Sequence, residues 1–578
     1  MSQPDWIVLI ITLAGVIAYG LYRSRVTHNL EGYLLANRSM PWGLILLSIM
    51  GTQASAITFV SAPGQAYTDG MRFVQYYFGL PLAMIVICIF FVPIFSKLKV
   101  YTAYEYLEGR FDGKTRTLTS FLFLLQRGLS TGISVFAPSI ILSSLLGWNI
   151  YVTNILMGGL LIIYTMTGGA RAVAYTQQLQ LIIIFSGIFL AAYMIINMLP
   201  EGVGLTEALH VSGKLGKLNV ITTGFEKGNG FDWSDNYNLL SGIIGGFFLA
   251  LSYFGTDQSQ VGRYLTARSL KQSRLGLLMN GLVKVPMQFL ILLVGALVFT
   301  FYQFNRAPVF FNDVQIKKIE NSVLKDSFLL ATKAYDEVLV KKQLAVKEFS
   351  SALGSKDVHL QNEKTNELRR LQNRADSIRN KVKEWIGSKE VGGESNDTNY
   401  IFLRFVLDYL PAGLVGLLIA IIFLASWGSI AAALNSLASS SMVDFHKRFV
   451  SKKAADEKEY RTSQWYTLLW GVFCIVVAMF TYNIGNSLIE AVNILGSLFY
   501  GVILGVFLVA FFIKKVTSGN AVFYAALLAE ILVLATFGLA RAGILKMSFL
   551  WLNPIGAFGV ILFALLVQGI LNRTVMTK

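Results

Sequence analysis

Apolar stretches of about twenty residues recur along the whole chain, from Trp6–Leu21 to 548–571, and each is long enough to cross the hydrocarbon core of a bilayer as a helix. Charged residues are only 14% of the 578, against roughly 25% in soluble proteins. That is too few to coat a water-facing surface, which excludes an ordinary soluble enzyme. The net charge of +16 does not point to nucleic acid, because the basic residues sit in short connections between apolar spans rather than on one soluble face.

Spans are expected at about 6–21, 42–64, 75–96, 117–146, 149–167, 174–199, 239–256, 275–303, 402–441, 464–484, 487–513, 519–540 and 548–571, which makes about thirteen helices. The first has no basic residue before it and Arg23 and Arg25 after it, the reverse of a cleaved signal peptide. Lys and Arg gather on the cytoplasmic side of a membrane. With the N-terminus outside, every other connection is basic, including those with Arg38, Lys97, Arg110, Arg171, Arg268, Lys447 and Lys514. The connections 64–71 and 484–487 carry no basic residue, so the C-terminus is expected on the cytoplasmic side of the cell membrane.

Residues from about 304 to 400 break this pattern, being polar and rich in both signs of charge. Within them Leu368, Leu371, Ala375, Ile378, Val382 and Trp385 recur at three–four spacing, the stripe of a helix–helix seam. The spacing predicts a helical hairpin outside the membrane, either a solvated spacer or a platform for a protein partner. Cys88 and Cys474 stand alone in apolar runs, and His28, His210, His359 and His446 are scattered. Neither set has the count or spacing of a metal or disulfide site. No nucleophile with a neighbouring base occurs in the spans, so the chain is not read as an enzyme.

Small polar residues and glycines inside a span either pack helices closely or mark a helix that opens around a solute. Two spans are rich in them. One contains Ser48, Gly51, Thr52, Gln53, Ser55, Thr58 and Ser61, followed by Pro63 and Gly64; the other contains Ser241, Gly242, Gly245, Gly246, Ser252, Tyr253, Gly255 and Thr256. Interrupted helices at corresponding places in two halves point to a transporter with inverted repeats and a central site. Arg127 and Lys284 each lie about ten residues into a span, where an ionisable group is costly unless paired or hydrated. Each either closes a gate by pairing, snorkels, or meets an anionic or hydroxyl-rich solute in a wet cavity.

Several motifs in order are recognisable. Asn37-Arg38-Ser39-Met40-Pro41-Trp42, Ser55-Ala56-Ile57-Thr58-Phe59 and Pro63-Gly64-Gln65-Ala66-Tyr67, then the run from Thr102 to Phe111, Tyr164-Thr165-Met166-Thr167-Gly168-Gly169, Leu410-Pro411-Ala412-Gly413-Leu414 and Leu434-Asn435-Ser436, resemble the sodium/solute symporter family over nearly the whole chain except 304–400. The resemblance implies an all-α polytopic membrane protein with a LeuT-type core of two inverted five-helix repeats. These would be 42–199 and 239–513, joined by an external loop at 200–238. One extra helix would precede them within 1–41 and two would follow within 514–578.

The resemblance also implies a sodium ion as coupling ion, held by the carbonyls of Gly51, Ala54 and Ala425 and the hydroxyl of Ser429. Where relatives carry a second hydroxyl, this chain has Gly428; where some carry the acid and hydroxyls of a second sodium site, it has Gln177, Ala431 and Ala432. One sodium site is therefore expected. For the solute the candidates are Gln53, Ser55, Thr58, Tyr77, Arg127, Tyr253, Lys284 and Asn493. Ser55 and Thr58 are similar to the sialic acid branch, and Thr131-Gly132-Ile133 with Ala137-Pro138-Ser139 to the monocarboxylate, iodide and multivitamin branch. The expected activity is sodium-coupled symport of a small polar, anionic solute. A proton-coupled or uncoupled carrier on the same scaffold, and a solute-sensing receptor acting through the hairpin, stay open at this point.

Overall fold

A computed structural model describes residues 1–23, 30–226, 228, 230–354, 357–450, 456–481 and 488–576. The expected connection 484–487 and the basic residues Arg25, Lys452, Lys453 and Lys578 lie outside the described residues. Among the described residues the regular structure is helical apart from one short hairpin pairing Phe225–Glu226 with Gly230–Phe231. Among the described residues, ten helices are long and apolar enough to cross a membrane, and one bent pair adds an eleventh span. Shorter apolar helices at Ile150–Met166 and Ser241–Thr256 bring the total to the thirteen expected.

In chain order the elements that build the core begin with α1 (Gln3–Arg23), α2 (Trp42–Gln53), α3 (Ala56–Asp69), α4 (Gly113–Leu146) and α5 (Ile150–Asn197). They continue with α6 (Gly246–Thr256), α7 (Gln258–Leu265) and α8 (Leu270–Phe304). The inserted segment forms α9 (Lys325–Gly354) and α10 (Val358–Gly387), and α11 (Thr398–Tyr409) leads back to α12 (Leu414–Ser440). Four spans complete the chain: α13 (Asp456–Phe480), α14 (Leu488–Phe512), α15 (Gly519–Arg541) and α16 (Leu552–Met576). At the centre, α12 is buried along nearly its whole length, against α4, α5, α1 and α13.

Three elements differ from the sequence expectation, each for a visible reason. The expected spans 149–167 and 174–199 are continuous in backbone hydrogen bonding as α5. Yet Tyr164 Oη and Thr176 Oγ1 are 2.6 Å apart, where twelve residues of straight helix would separate them by about 18 Å. The element therefore turns back between them into two arms. The expected span 402–441 splits: α11 ends at Tyr409, the chain turns through Pro411 and Gly413 (φ +87°), and the membrane-length helix starts at Leu414. Finally, the glycines 242, 245 and 246 do not break their helix. They admit neighbouring backbone, since a Cβ would lie 2.1 Å from Gln75 O at 242 and 2.4 Å from Tyr76 O at 246. The break falls further on, at Asp257 (ψ 121°), between α6 and α7.

The insert packs as a two-helix hairpin with its own apolar seam. Leu368, Ala375 and Val382 of the expected stripe are fully buried, and Leu371, Ile378 and Trp385 are half-buried. Its junction with α11 is polar and enclosed. Asp397, fully buried, accepts from Arg379 Nη2 (2.6 Å) and Phe311 N–H (3.1 Å) and forms an ion pair with Lys383 Nζ (2.8 Å). Burial pushes the nearby Glu394 carboxyl from its ordinary 4.5 up to about 8, against the opposing hydrogen bond from Tyr400 Oη. The folded junction thus holds a proton that the unfolded chain has lost above about pH 4.5, so it loses stability as pH rises from there to about 8. Glu394→Gln is expected to flatten that slope, read as the pH dependence of hydrogen exchange across 388–400. An unchanged slope would show that another group carries it.

Candidate functional site

The site starts from backbone. Between α2 and α3, Ala54 (ψ 73°) and Ser55 (ψ 166°) leave helical geometry and the two halves bend by 62°. In a continuing helix Ser55 N–H would bond Gly51 O, and Thr58 N–H would bond Ala54 O. Instead Ser55 N–H turns to Gln53 O (2.9 Å) and Thr58 N–H to Ser55 O (3.0 Å). The carbonyls of Gly51 and Ala54 are left without those partners deep in the protein.

The break faces α12. Ser429 Oγ donates to its own helix, to Ala425 O (3.0 Å) and Ser426 O (3.1 Å), which leaves its lone pairs free. Gln177 of α5 ties the two elements together: its Oε1 accepts from Ser48 Oγ (2.8 Å), and its Nε2 donates to Thr52 Oγ1 (3.2 Å) and Gly428 O (3.0 Å). This approach needs Gly51, whose Cβ would lie 2.7 Å from Gln177 Cβ. At Gly428 an ideal Cβ would lie 2.5 Å from Gln180 Oε1, so a side chain there requires Gln180 to move.

Beside the break lies a central cavity of about 170 Å³. Gln53, Ser55, Thr58, Tyr77, Arg127, Tyr253, Lys284 and Asn493 all line it, as does Ser429. Gly51, Ala54 and Ala425 are buried and do not. Among the described residues, the cavity wall includes polar groups without a hydrogen-bond partner: Gln53 Oε1, Gln126 Oε1 and Asn493 Nδ2, together with the Lys284 amine, which lies 5.8 Å from the Tyr77 ring centre in a residue only 2% exposed.

Arg127 is different. It forms an ion pair with Asp257, donates to Tyr500 Oη (2.7 Å) and stacks over Tyr253 (5.2 Å). Tyr500 Oη also donates to Asp257 Oδ2 (2.7 Å), and Asp257 Oδ1 caps α7 by accepting from Ser259 N–H (2.8 Å). The second helix break is thus stapled to α4 and α14 by one buried carboxylate. Sequence reasoning missed Asp257 and Tyr500. An acid immediately after the glycine-rich span was the available signal for the first; nothing marked the second.

Two discontinuous helices around a central cavity among apolar spans, with opened carbonyls at one break and polar hooks in the wall, define a secondary transporter. The comparisons agree. The sodium:solute symporter family model matches residues 33–324 and 380–528, and the chain belongs to that family. It is 25% identical to the sodium/sialic acid symporter SiaT of Proteus mirabilis over 562 residues, covering 96% of this chain and 93% of that one. It is likewise 25% identical to a putative sodium-dependent multivitamin transporter of Drosophila melanogaster over 522 residues, 89% of this chain and 71% of that one. A solved structure of a Na+-coupled sialic acid symporter, in a substrate-bound outward-open state, superposes with a TM-score of 0.73 at 22% identity over 98% of both chains. The protein is a membrane transporter of LeuT-type fold that couples sodium to the symport of a solute, in a family of transporters and not of enzymes.

Removing one member of a buried ion pair strands the other, at about 3–5 kcal/mol. Asp257→Asn is therefore expected to melt well below the parent in detergent, and Arg127→Met with Asp257→Leu to recover part of the loss. A single variant that melts no lower than the double contradicts the pairing.

Proposed function

We propose that the coupling sodium binds at the first helix break, held by the carbonyls of Gly51, Ala54 and Ala425 and by Ser429 Oγ, and that the solute sits in the adjoining cavity with its carboxylate on Lys284. The first part is supported by the two amides that turn away from Gly51 and Ala54. Sodium is a hard cation, and such an oxygen cluster binds it without burying a full negative charge.

The observation that carries the second part is the contrast between the cavity's two cations. Arg127 is neutralised by Asp257, whereas Lys284 has no carboxylate within reach among the described residues. An unpaired buried ammonium is costly, and a solute carboxylate is the group that relieves it. Gln53 Oε1 and Asn493 Nδ2 then meet hydroxyl or amide groups, with Ser55, Thr58, Tyr77 and Tyr253 completing the wall. A carboxylated, hydroxyl-bearing solute such as sialic acid fits this pattern, in keeping with the relative from Proteus mirabilis. The orientation follows the loop charges: N-terminus and insert outside the cell membrane, C-terminus in the cytoplasm. The repeats run over 42–199 and 239–513.

Two variants separate the parts in proteoliposomes supplied with N-acetylneuraminate. Lys284→Met is expected to weaken apparent solute affinity 30-fold or more, since truncating one side of a buried charge pair costs about 2–5 kcal/mol, with sodium-induced thermal stabilisation retained. Ser429→Ala is expected to raise the sodium concentration needed for half-maximal uptake. Normal uptake by Lys284→Met would reject the anion site, and an unaltered sodium dependence of Ser429→Ala would reject the ion site.

A further inference from the structure

The family pattern stops at residue 324 and resumes at 380, so α9 and most of α10 are additional to it. Their place in the fold shows what they touch. The buried carboxylate of Asp397, held by Arg379 and Lys383 of α10, belongs to the residue just before α11. The next two residues of α11 rest on the membrane core. Thr398 O sits where a Cβ on Gly64 of α3 would be, at 1.9 Å. Asn399 Oδ1 accepts from Ser61 Oγ of α3 (2.6 Å) and from the N–H of Leu488, at the start of α14 (3.4 Å).

Both contacts lie beside the cavity. Ser61 is one helical turn beyond Ile57 and Thr58, and Leu488 precedes Ile489, all three of which line it. The start of α11 therefore bridges the two helices that frame one end of the site. Arg379 adds a second hold: its guanidinium lies 5.0 Å over Phe311, whose ring meets Tyr67 of α3 at 5.6 Å. Nearer the start of α10, Arg369 donates to Lys214 O (2.9 Å), fixing the hairpin to the core at a separate point.

We infer that the α9–α10 hairpin is a brace for a lid: through Arg379 and Lys383 on Asp397 it holds the start of α11 down between α3 and α14, and so sets how readily the outer mouth of the cavity opens. Arg379, Lys383 and Asp397 are positioning residues, acting on transport through α11 without touching the solute. The inference rests on the cavity being the solute site and on the insert facing outward.

The test labels a cysteine beneath the lid, Ile489→Cys, in a Cys88→Ser, Cys474→Ser background, with a bulky maleimide on purified, substrate-free protein. Adding Arg379→Met is expected to speed labelling about tenfold and to lower the maximal uptake rate, with Arg379→Lys restoring both. Lys383→Met, at a side chain a quarter exposed, gives the same direction and serves if Arg379→Met does not fold. Unchanged labelling in a normally melting variant overturns the brace, and is the outcome if the hairpin serves only to dock a protein partner. Slower labelling of Ile489→Cys by N-acetylneuraminate with sodium, in the otherwise unaltered chain, tests the solute-site reading separately.

Discussion

Hydrocarbon cannot hydrogen-bond a peptide group, so each helical turn that opens inside a bilayer must find a replacement for the bonds it gives up. This chain opens two. Around Ala54 and Ser55 the released amides fold back on Gln53 and Ser55, and Gln177 spans the gap from α2 to α12 with three side-chain bonds. Around Asp257 a carboxylate does the work, capping α7 while holding Arg127 and Tyr500. The cavity lies between these two repairs, and its contents follow from what each leaves unpaired: carbonyl oxygens at the first, no net charge at the second.

The charge balance of transport follows from the same arrangement. With Arg127 and Asp257 cancelling, Lys284 is, among the described residues, the excess charge in the wall. On the proposed site a carboxylate pairing with Lys284 removes the penalty of an unpaired buried cation, and its charge offsets that of the sodium ion bound with it. One sodium moving with one monovalent anion transfers no charge across the membrane, so voltage gives no drive. A tenfold sodium gradient then supplies about 1.4 kcal/mol, enough for roughly tenfold accumulation. Steeper accumulation needs a second coupling ion.

Features that depend on local chemistry were legible in the sequence. Clustered small polar residues before Pro63-Gly64 marked the first break, and the stripe from Leu368 to Trp385 marked the hairpin seam. What escaped depends on contacts distant along the chain. The glycines 242, 245 and 246 drew attention as a weak point, but they serve close packing on Gln75, Tyr76 and Leu550, and the break falls at Asp257. Arg127 meets its acid 130 residues away, and Asn399 meets Ser61 across 338, separations that no spacing rule reaches. Pro411 and Gly413 signalled the turn that detaches α11 from α12, yet the apolar run around them reads as one long span.

The central claim is that an opened backbone around Ala54 and a facing turn of α12 form one ion site. Hydrogen–deuterium exchange of the substrate-free protein in sodium against choline, at fixed pH and ionic strength, measures this where it should occur. The account predicts slower exchange in sodium confined to peptides covering residues 50–58 and 425–430. Equal exchange in both salts across these segments, with protection arising elsewhere, would contradict it.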